Sequence, residues 1–216
     1  MKKQQTGFTL IELAIVLVII GLLLGGVLKG QELINSAKAK NIAGDLKNAQ
    51  IFIYAYQDKF RAIPGDDANV ASHINNGVPA TSATLGDARI DGAWDSTTFT
   101  NESIKFWEHV RLAGLSTGPT VINTVADLPR NADNGRIGVQ SLAGAPAFTT
   151  ITGMTGLYVV CTDNITGRLA KQIDTNLDDG ETSTGTVRAV ATGTTGAAIT
   201  SQSVIDGSTY TLCMTF

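Results

Sequence analysis

The chain has few of the residues that enzymes and metal proteins depend on. Its 216 residues include two cysteines and two histidines, and they contain no CxxC pair, zinc-ligand spacing or phosphate-binding glycine loop. Basic residues are not in excess, because the formal net charge is −3. A general nucleic-acid binder would show a basic patch, so the composition argues against that class of protein.

One catalytic pattern does occur, but its surroundings argue against a catalytic role. Residues 114–118 read Gly-Leu-Ser-Thr-Gly, which matches the G-x-S-x-G pattern of hydrolases. That pattern needs a strand before the serine and a helix after it. Here a predicted helix precedes the segment and Pro119 follows it. We therefore interpret residues 114–118 as a loop, and we predict no catalytic residues.

Proline and charge are almost absent from a long stretch near the N-terminus. No proline occurs between Phe8 and Ile63, and residues 8–28 carry one charge, that of Glu12. About 21 such residues are enough to cross a bilayer as a helix. A carboxylate inside a membrane helix costs about 2.5–3.5 kcal/mol and usually marks a function. The polar leader ends at Gly7 and no A-x-A site follows the apolar run, so we expect the helix to be retained.

These residues resemble the cleavage and methylation signature of type IV prepilins and type II secretion pseudopilins. The signature consists of a short basic leader, the Gly7-Phe8 junction, and Glu12 inside the apolar run. The resemblance implies that a membrane-embedded prepilin peptidase cuts between Gly7 and Phe8 and methylates the new Phe8 amine. It also implies that Glu12 pairs with the Phe8 ammonium of a neighbouring subunit, and a buried charge does need such a partner. The alternative is a plain membrane anchor with an incidental glutamate.

The resemblance implies a structural subunit of a type IV pilus-like filament, or fimbrium, rather than an enzyme. The subunit would wait in the bacterial inner membrane, where an assembly platform and a cytoplasmic ATPase add it to a filament of itself and other pilin-like subunits. The filament would lie at the cell surface or in the periplasm. One alternative is a pseudopilin or minor pilin of a type II secretion system. An alternative from a different class is a membrane-tethered periplasmic enzyme or binding domain.

The leader also indicates the topology of the chain. Lys2 and Lys3 precede the apolar run, and basic residues stay on the cytoplasmic side of a membrane. We therefore expect a single-pass protein with a cytoplasmic N-terminus and a periplasmic head. Cleavage after Gly7 would remove both lysines and change the formal net charge from −3 to −5.

Apolar spacing predicts that the helix continues beyond the membrane. Six residues follow a 4-3-4-3-4 spacing that forms one stripe of a helix, namely Ile42, Leu46, Ala49, Ile53, Tyr56 and Phe60. Pro64 and Gly65 then suit the central positions of a type II turn. We divide the chain into a leader, 1–7, a transmembrane half of the helix, 8–30, and a head, 31–216, that includes the amphipathic half of the helix.

The rest of the head is rich in predicted strands. Residues 157–161 and 187–191 read as strands, and alternation over 210–216 predicts a half-buried final strand. Short helices are predicted around 101–115, with Gly114 at its C-cap, and around 165–173. A long helix packed on a small antiparallel sheet is an α+β arrangement, and it resembles the pilin fold.

Both cysteines lie in the part of the chain that is predicted to face outward. In an oxidising compartment Cys161 and Cys213 are expected to form a disulfide. The bridge would close a loop of about 50 residues, which is worth about 4 kcal/mol in the chain-entropy model. The alternative is two buried free thiols.

Acidic residues cluster in one segment of the head, where Asp174, Asn176, Asp178 and Asp179 are candidate calcium ligands. Calcium takes about six to eight oxygen ligands, often from alternating Asp and Asn before a glycine. The glycine comes one residue later than in an EF-hand, and no distal glutamate matches. The chain resembles pseudopilins through its N-terminal signature, and some pseudopilins bind calcium in their β region. The alternative is a polar loop whose Asx turns cap the preceding helix.

Overall fold

The first helix of the computed structural model, which describes residues 9–216, runs without a break from Leu10 to Phe60 and is named α1. The predictions for Gly7 and Phe8 lie outside the described residues. Internal contacts divide the chain into two compact units, the first ending at Ala37 and the second comprising Lys38–Phe216. In the first unit the apolar side chains of residues 10–28 are exposed. This helix is long and apolar enough to cross a membrane.

The second half of α1 buries the predicted stripe. Ile42, Leu46, Ala49, Ile53 and Tyr56 are fully buried, whereas Phe60 is half-buried at the end of the helix. The helix ends where predicted, four residues before Pro64.

Gly65 adopts the left-handed backbone conformation that the third position of a type II turn requires, with φ +92°. A Cβ at this position would collide with the backbone carbonyl of Glu102. Glycine is therefore needed both for the turn and for the close packing against the helix that begins at Glu102.

Three further α-helices belong to the head. They are α2 (Val70–His73), α3 (Glu102–Leu112) and α4 (Gly167–Leu177), and a 3₁₀ turn covers Val125–Asp127. The helices α3 and α4 were predicted, and α2 was missed.

The C-terminus of α3 is a Schellman motif, as the position of Gly114 suggested. Gly114 N–H donates to the Arg111 carbonyl at 3.0 Å, and Leu115 N–H donates to the Val110 carbonyl at 2.9 Å. Gly114 has a positive φ, +76°. The helix therefore stops sharply, and the chain after it forms an irregular loop.

Four antiparallel strands form one sheet in the order β1-β2-β4-β3. They are β1 (Ile137–Ser141), β2 (Tyr158–Thr166), β3 (Val187–Ala191) and β4 (Thr209–Thr215). The three predicted strands are confirmed, and β1 was missed. Ile165, which was predicted to begin a helix, instead belongs to the end of β2.

The main hydrophobic core lies between one face of the sheet and the helices. There α1 from Lys38 onward, α3 and α4 pack against alternate strand residues such as Val160, Ala189 and Leu212. The whole is the α+β architecture that was predicted, with the head half of α1 against a small antiparallel sheet.

The prediction of a half-buried final strand is wrong. On the face of β4 away from the helices, Thr211, Cys213 and Thr215 are buried as well. Loop residues cover this face, because Trp94 and Ile151 pack with Val159 and Val190 around the cysteines. Irregular segments that carry no periodic pattern therefore supply the second layer.

Candidate functional site

The first turn of α1 is closed by a capping box. Thr9 precedes the helix, and its backbone N–H and hydroxyl donate to Glu12 Oε2 at 2.9 and 2.8 Å. Glu12 N–H in turn donates to Thr9 Oγ1 at 3.3 Å. Such reciprocal bonds satisfy amide groups that a helix start leaves without partners. Sequence reasoning missed this role, although Thr-x-x-Glu before an apolar run is its usual signature.

The two carboxylate oxygens of Glu12 differ in what they contact. Oε2 accepts both bonds from Thr9, and no hydrogen bond joins Oε1 to any residue in the range 9–216. Both residues are exposed. Oε2 therefore fixes the side chain to its own helix, while Oε1 has no donor among residues 9–216.

Helix α3 organises the irregular part of the head through buried polar side chains. Glu108 Oε1 accepts a hydrogen bond from Ile122 N–H at 2.8 Å. Arg111 Nη1 donates to the carbonyls of Pro119 and Asp127 at 2.8 and 2.9 Å. Burial lowers the pKa of the Arg111 guanidinium. Both side chains are buried, so α3 holds the loop 119–127 against the core.

His109 joins two further segments to α3. Its Nδ1 accepts from Gly65 N–H at 3.0 Å, so the ring proton is on Nε2, which donates to the Val78 carbonyl at 3.0 Å. The ring is fully buried, and burial lowers its pKa. The imidazole is therefore a neutral structural bridge between the turn after α1 and the loop after α2.

The second histidine lies in a separate cluster. His73 Nδ1 and the Tyr56 hydroxyl both contact Asp67 Oδ2, each at 2.7 Å. Burial, followed by the Asp67 hydrogen bond, raises the pKa of Tyr56. Within residues 9–216 neither histidine is hydrogen-bonded to a serine. The G-x-S-x-G segment lies in the loop after α3, as predicted, with Ser116 far from the geometry of a nucleophile elbow.

Glu102, the first residue of α3, is a buried carboxyl group that sequence reasoning also missed. It is 1 % exposed, and its Oε2 accepts from Asp91 N–H at 2.8 Å. Burial raises its pKa to about 7, with further contributions from the nearby carboxylates of Asp66 and Asp91. This group therefore changes charge close to neutral pH.

The disulfide prediction is confirmed. Cys161 on β2 and Cys213 on β4 are bonded to each other, and they are directly opposite in the strand register. Both are fully buried. The bridge therefore joins the two central strands of the sheet beneath the loops that cover it.

The candidate calcium ligands form turns instead of one ligand set. Asp174 is buried in α4, where Oδ1 accepts from Gly180 N–H at 2.7 Å. Asp178 Oδ2 accepts from Val187 N–H at 2.9 Å, and Asp179 Oδ1 accepts from Glu181 N–H at 2.9 Å. Asn176 is exposed.

Across residues 9–216, no group of three or more His, Cys, Asp or Glu side chains is placed to hold a metal ion. Burial raises the pKa of Asp174 to about 7. Calcium binding by this segment stays a prediction.

Residues 2–28 match the family model of the prokaryotic N-terminal methylation motif. This motif is the signature of type IV pilins and pseudopilins, and it includes Gly7, Phe8 and Glu12. No curated protein and no solved structure matches the chain. The chain therefore carries the signature of a type IV pilin-like or pseudopilin precursor. That signature implies processing by a prepilin peptidase, a membrane-anchored state and assembly into a multi-subunit filament.

Proposed function

We propose that the chain is a structural subunit of a type IV pilus-like filament. It is made as a single-pass inner-membrane precursor with its head in the periplasm, cleaved after Gly7, and then polymerised through its N-terminal helix. The observation that carries this proposal is the methylation motif, combined with a Glu12 carboxylate whose Oε1 accepts no hydrogen bond from residues 9–216.

The apolar surface of the first unit suits this helix to two environments in succession, first the lipid bilayer and then the filament. Its large side chains are about half or more exposed over residues 10–28, for example Leu10 at 88 % and Leu22 at 73 %. A surface of this kind is stable in lipid or against other apolar helices, and it is not stable in water. Lipid surrounds the helix in the precursor, and the helices of neighbouring subunits replace lipid in the filament.

Glu12 then selects the register of neighbouring helices. Cleavage creates an ammonium at Phe8, which enters the apolar centre of the filament. An ammonium there needs a carboxylate partner, and Glu12 Oε1 can accept it while Oε2 keeps its bonds to Thr9. Leaving one member of a buried ion pair alone costs about 3–5 kcal/mol. This energy favours the register in which Phe8 of one subunit meets Glu12 of the next.

Two substitutions separate the charge of Glu12 from its capping role. Glu12→Gln keeps an oxygen that can accept the Thr9 bonds but removes the charge, whereas Glu12→Ala removes both. Both variants should insert into the membrane at least as well as the natural chain, because an intramembrane charge is lost. The yield of sheared filaments should fall strongly for both variants. Asp58→Ala, an exposed acidic change on the same helix, is the matched control and should assemble normally.

The measurement pairs membrane fractionation with filament yield and N-terminal mass spectrometry. A methylated Phe8 start is expected in all four proteins. Normal filament yield from Glu12→Gln would contradict the ion-pair step, and a mature chain that starts elsewhere would contradict the processing step. A secretion defect on gene deletion, without surface filaments, would assign the subunit to a secretion pseudopilus instead of a pilus.

A further inference from the structure

A cleft in the head has the chemistry of a ligand site. It has a volume of about 480 Å³ and lies between the head half of α1, α3 and two loops, with Asp45, Phe52, Trp107, Ser116 and Arg130 among its lining residues. Pockets that bind small ligands commonly have about 300–1,000 Å³ and combine aromatic rings with a few polar groups. The cleft meets both criteria.

Two polar groups of this cleft lack protein partners. Trp107 is 3 % exposed, yet no hydrogen bond joins its Nε1 to any other residue of the described chain, 9–216. The Nε1 atom itself is reached by solvent, so its N–H is open to an acceptor from outside the chain. The carboxylate of Asp45 likewise makes no hydrogen bond or ion pair within that range. Partial burial raises its pKa, and no neighbouring charge contributes to the shift.

The aromatic side chains hold this arrangement in place. Phe52 and Trp107 meet edge to face with ring centroids 6.4 Å apart, and Phe106 and Trp107 also meet edge to face with ring centroids 4.9 Å apart. Such pairs restrict the rings as well as burying apolar area. The indole N–H of Trp107 is therefore fixed before any ligand arrives.

We propose that this cleft binds a saccharide unit. A hydroxyl group can accept a hydrogen bond from Trp107 and another can donate to Asp45, since each hydroxyl is both a donor and an acceptor. The C–H face of a sugar ring suits contact with the Phe52 ring. The lining residues come from α1, α3 and two separate loops, so polar groups of several elements are available to the hydroxyls of one sugar ring. An extended peptide would present its polar groups along two edges instead.

Binding to simple disaccharides tests this proposal on the full chain in a sugar-free zwitterionic detergent. The probes are lactose, maltose, cellobiose and chitobiose, observed by saturation-transfer NMR. At least one should receive saturation from the natural protein. Its Kd should weaken about tenfold or more in Asp45→Ala, because a charged hydrogen-bond partner is removed. Trp107→Phe should also weaken it. Asp58→Ala, an exposed change on the same helix, should leave the Kd unchanged.

Several outcomes would overturn the proposal. The first is that none of the four disaccharides receives saturation, and the second is that Asp45→Ala binds as well as the natural protein. The third is that the protein binds N-acetylglycine methylamide, a small peptide analogue, and none of the sugars. Circular dichroism checks that each variant is folded. If Trp107→Phe does not fold, the comparison of Asp45→Ala with the natural protein is sufficient for the test. Filament assembly and sugar binding are measured separately, so failure here leaves the proposed function untouched.

Discussion

Thr9 donates both its backbone N–H and its hydroxyl to a single oxygen of Glu12, at 2.9 and 2.8 Å. The glutamate that marks the methylation motif is thus also the closing residue of a capping box at the start of α1. A carboxylate held in this way has a defined direction relative to its helix. In the proposed filament this direction decides where a neighbour's ammonium must lie.

The first prediction concerns the Thr9 hydroxyl. Thr9→Val keeps the side-chain shape but removes the hydroxyl, and loss of an N-cap side chain costs about 1 kcal/mol. We expect filament yield to fall because Glu12 Oε2 then keeps only the bond from the Thr9 backbone N–H and is held less firmly. Thr9→Ser keeps the hydroxyl and should assemble like the natural protein. Equal yields from Thr9→Val and Thr9→Ser, measured on sheared filaments, would show that this bond does not position Glu12.

The second prediction concerns the disulfide. Reducing the Cys161–Cys213 bond should lower the free energy of unfolding by about 4 kcal/mol in the chain-entropy model. The comparison is a denaturant titration of the natural protein with and without a reducing agent. The Cys161→Ala/Cys213→Ala double variant is the control, and reductant should not change its midpoint. Two freely alkylatable thiols in the native envelope protein would refute the bridge.

The third prediction concerns calcium and the segment 174–181. If this segment takes up the ion, calcium should raise the melting temperature by mass action, and a chelator should reverse the rise. Asp179→Asn should abolish the effect because it removes an exposed charge of the segment. Asp206→Asn, another exposed aspartate of the head, is the control. An unchanged melting temperature would leave the segment as a hydrogen-bonded turn.

Elements of the fold that are marked by a regular spacing of apolar residues or by a local motif could be predicted from the sequence. The buried stripe of α1 shows a helical spacing, β3 is a short run of valine and alanine interrupted by Arg188, and Pro64-Gly65 marks the end of the long helix. Each of these signals is local, because a few neighbouring residues contain all of it. The methylation motif is local as well, which is why the candidate assembly residues could be named without a structure.

Other features depend on partners that are distant in the sequence. β1 contains Gly138, Gln140 and Ser141, which do not form an apolar pattern, and it is a strand because it pairs with β2. Glu108 and Arg111 on α3 are charged side chains, yet they are buried against their partners in residues 119–127. No sequence pattern relates these two residues to that distant loop, so their burial could not be predicted from the sequence.

The final prediction uses the buried carboxyl group at the start of α3. The pKa of Glu102 is raised to about 7 in the folded protein, mainly by burial, from about 4.5 in the unfolded chain. Between these values the folded state holds a proton that the unfolded state has released. Stability from this group is therefore fully present below about pH 4.5 and is lost as the pH rises through about 7.

Glu102→Gln should remove this pH dependence, because the neutral amide resembles the protonated acid and still offers an oxygen to Asp91 N–H. We expect the variant to gain stability over the natural protein as the pH rises from about 4.5 to 7, and the gain to be constant above that range. Asp174, whose pKa is also raised to about 7, is common to both proteins and cancels in the difference. Denaturant titrations of the two full chains across this range measure the difference directly. A difference that does not change with pH would mean that Glu102 is ionised in the folded head, and that water or a cation compensates its burial.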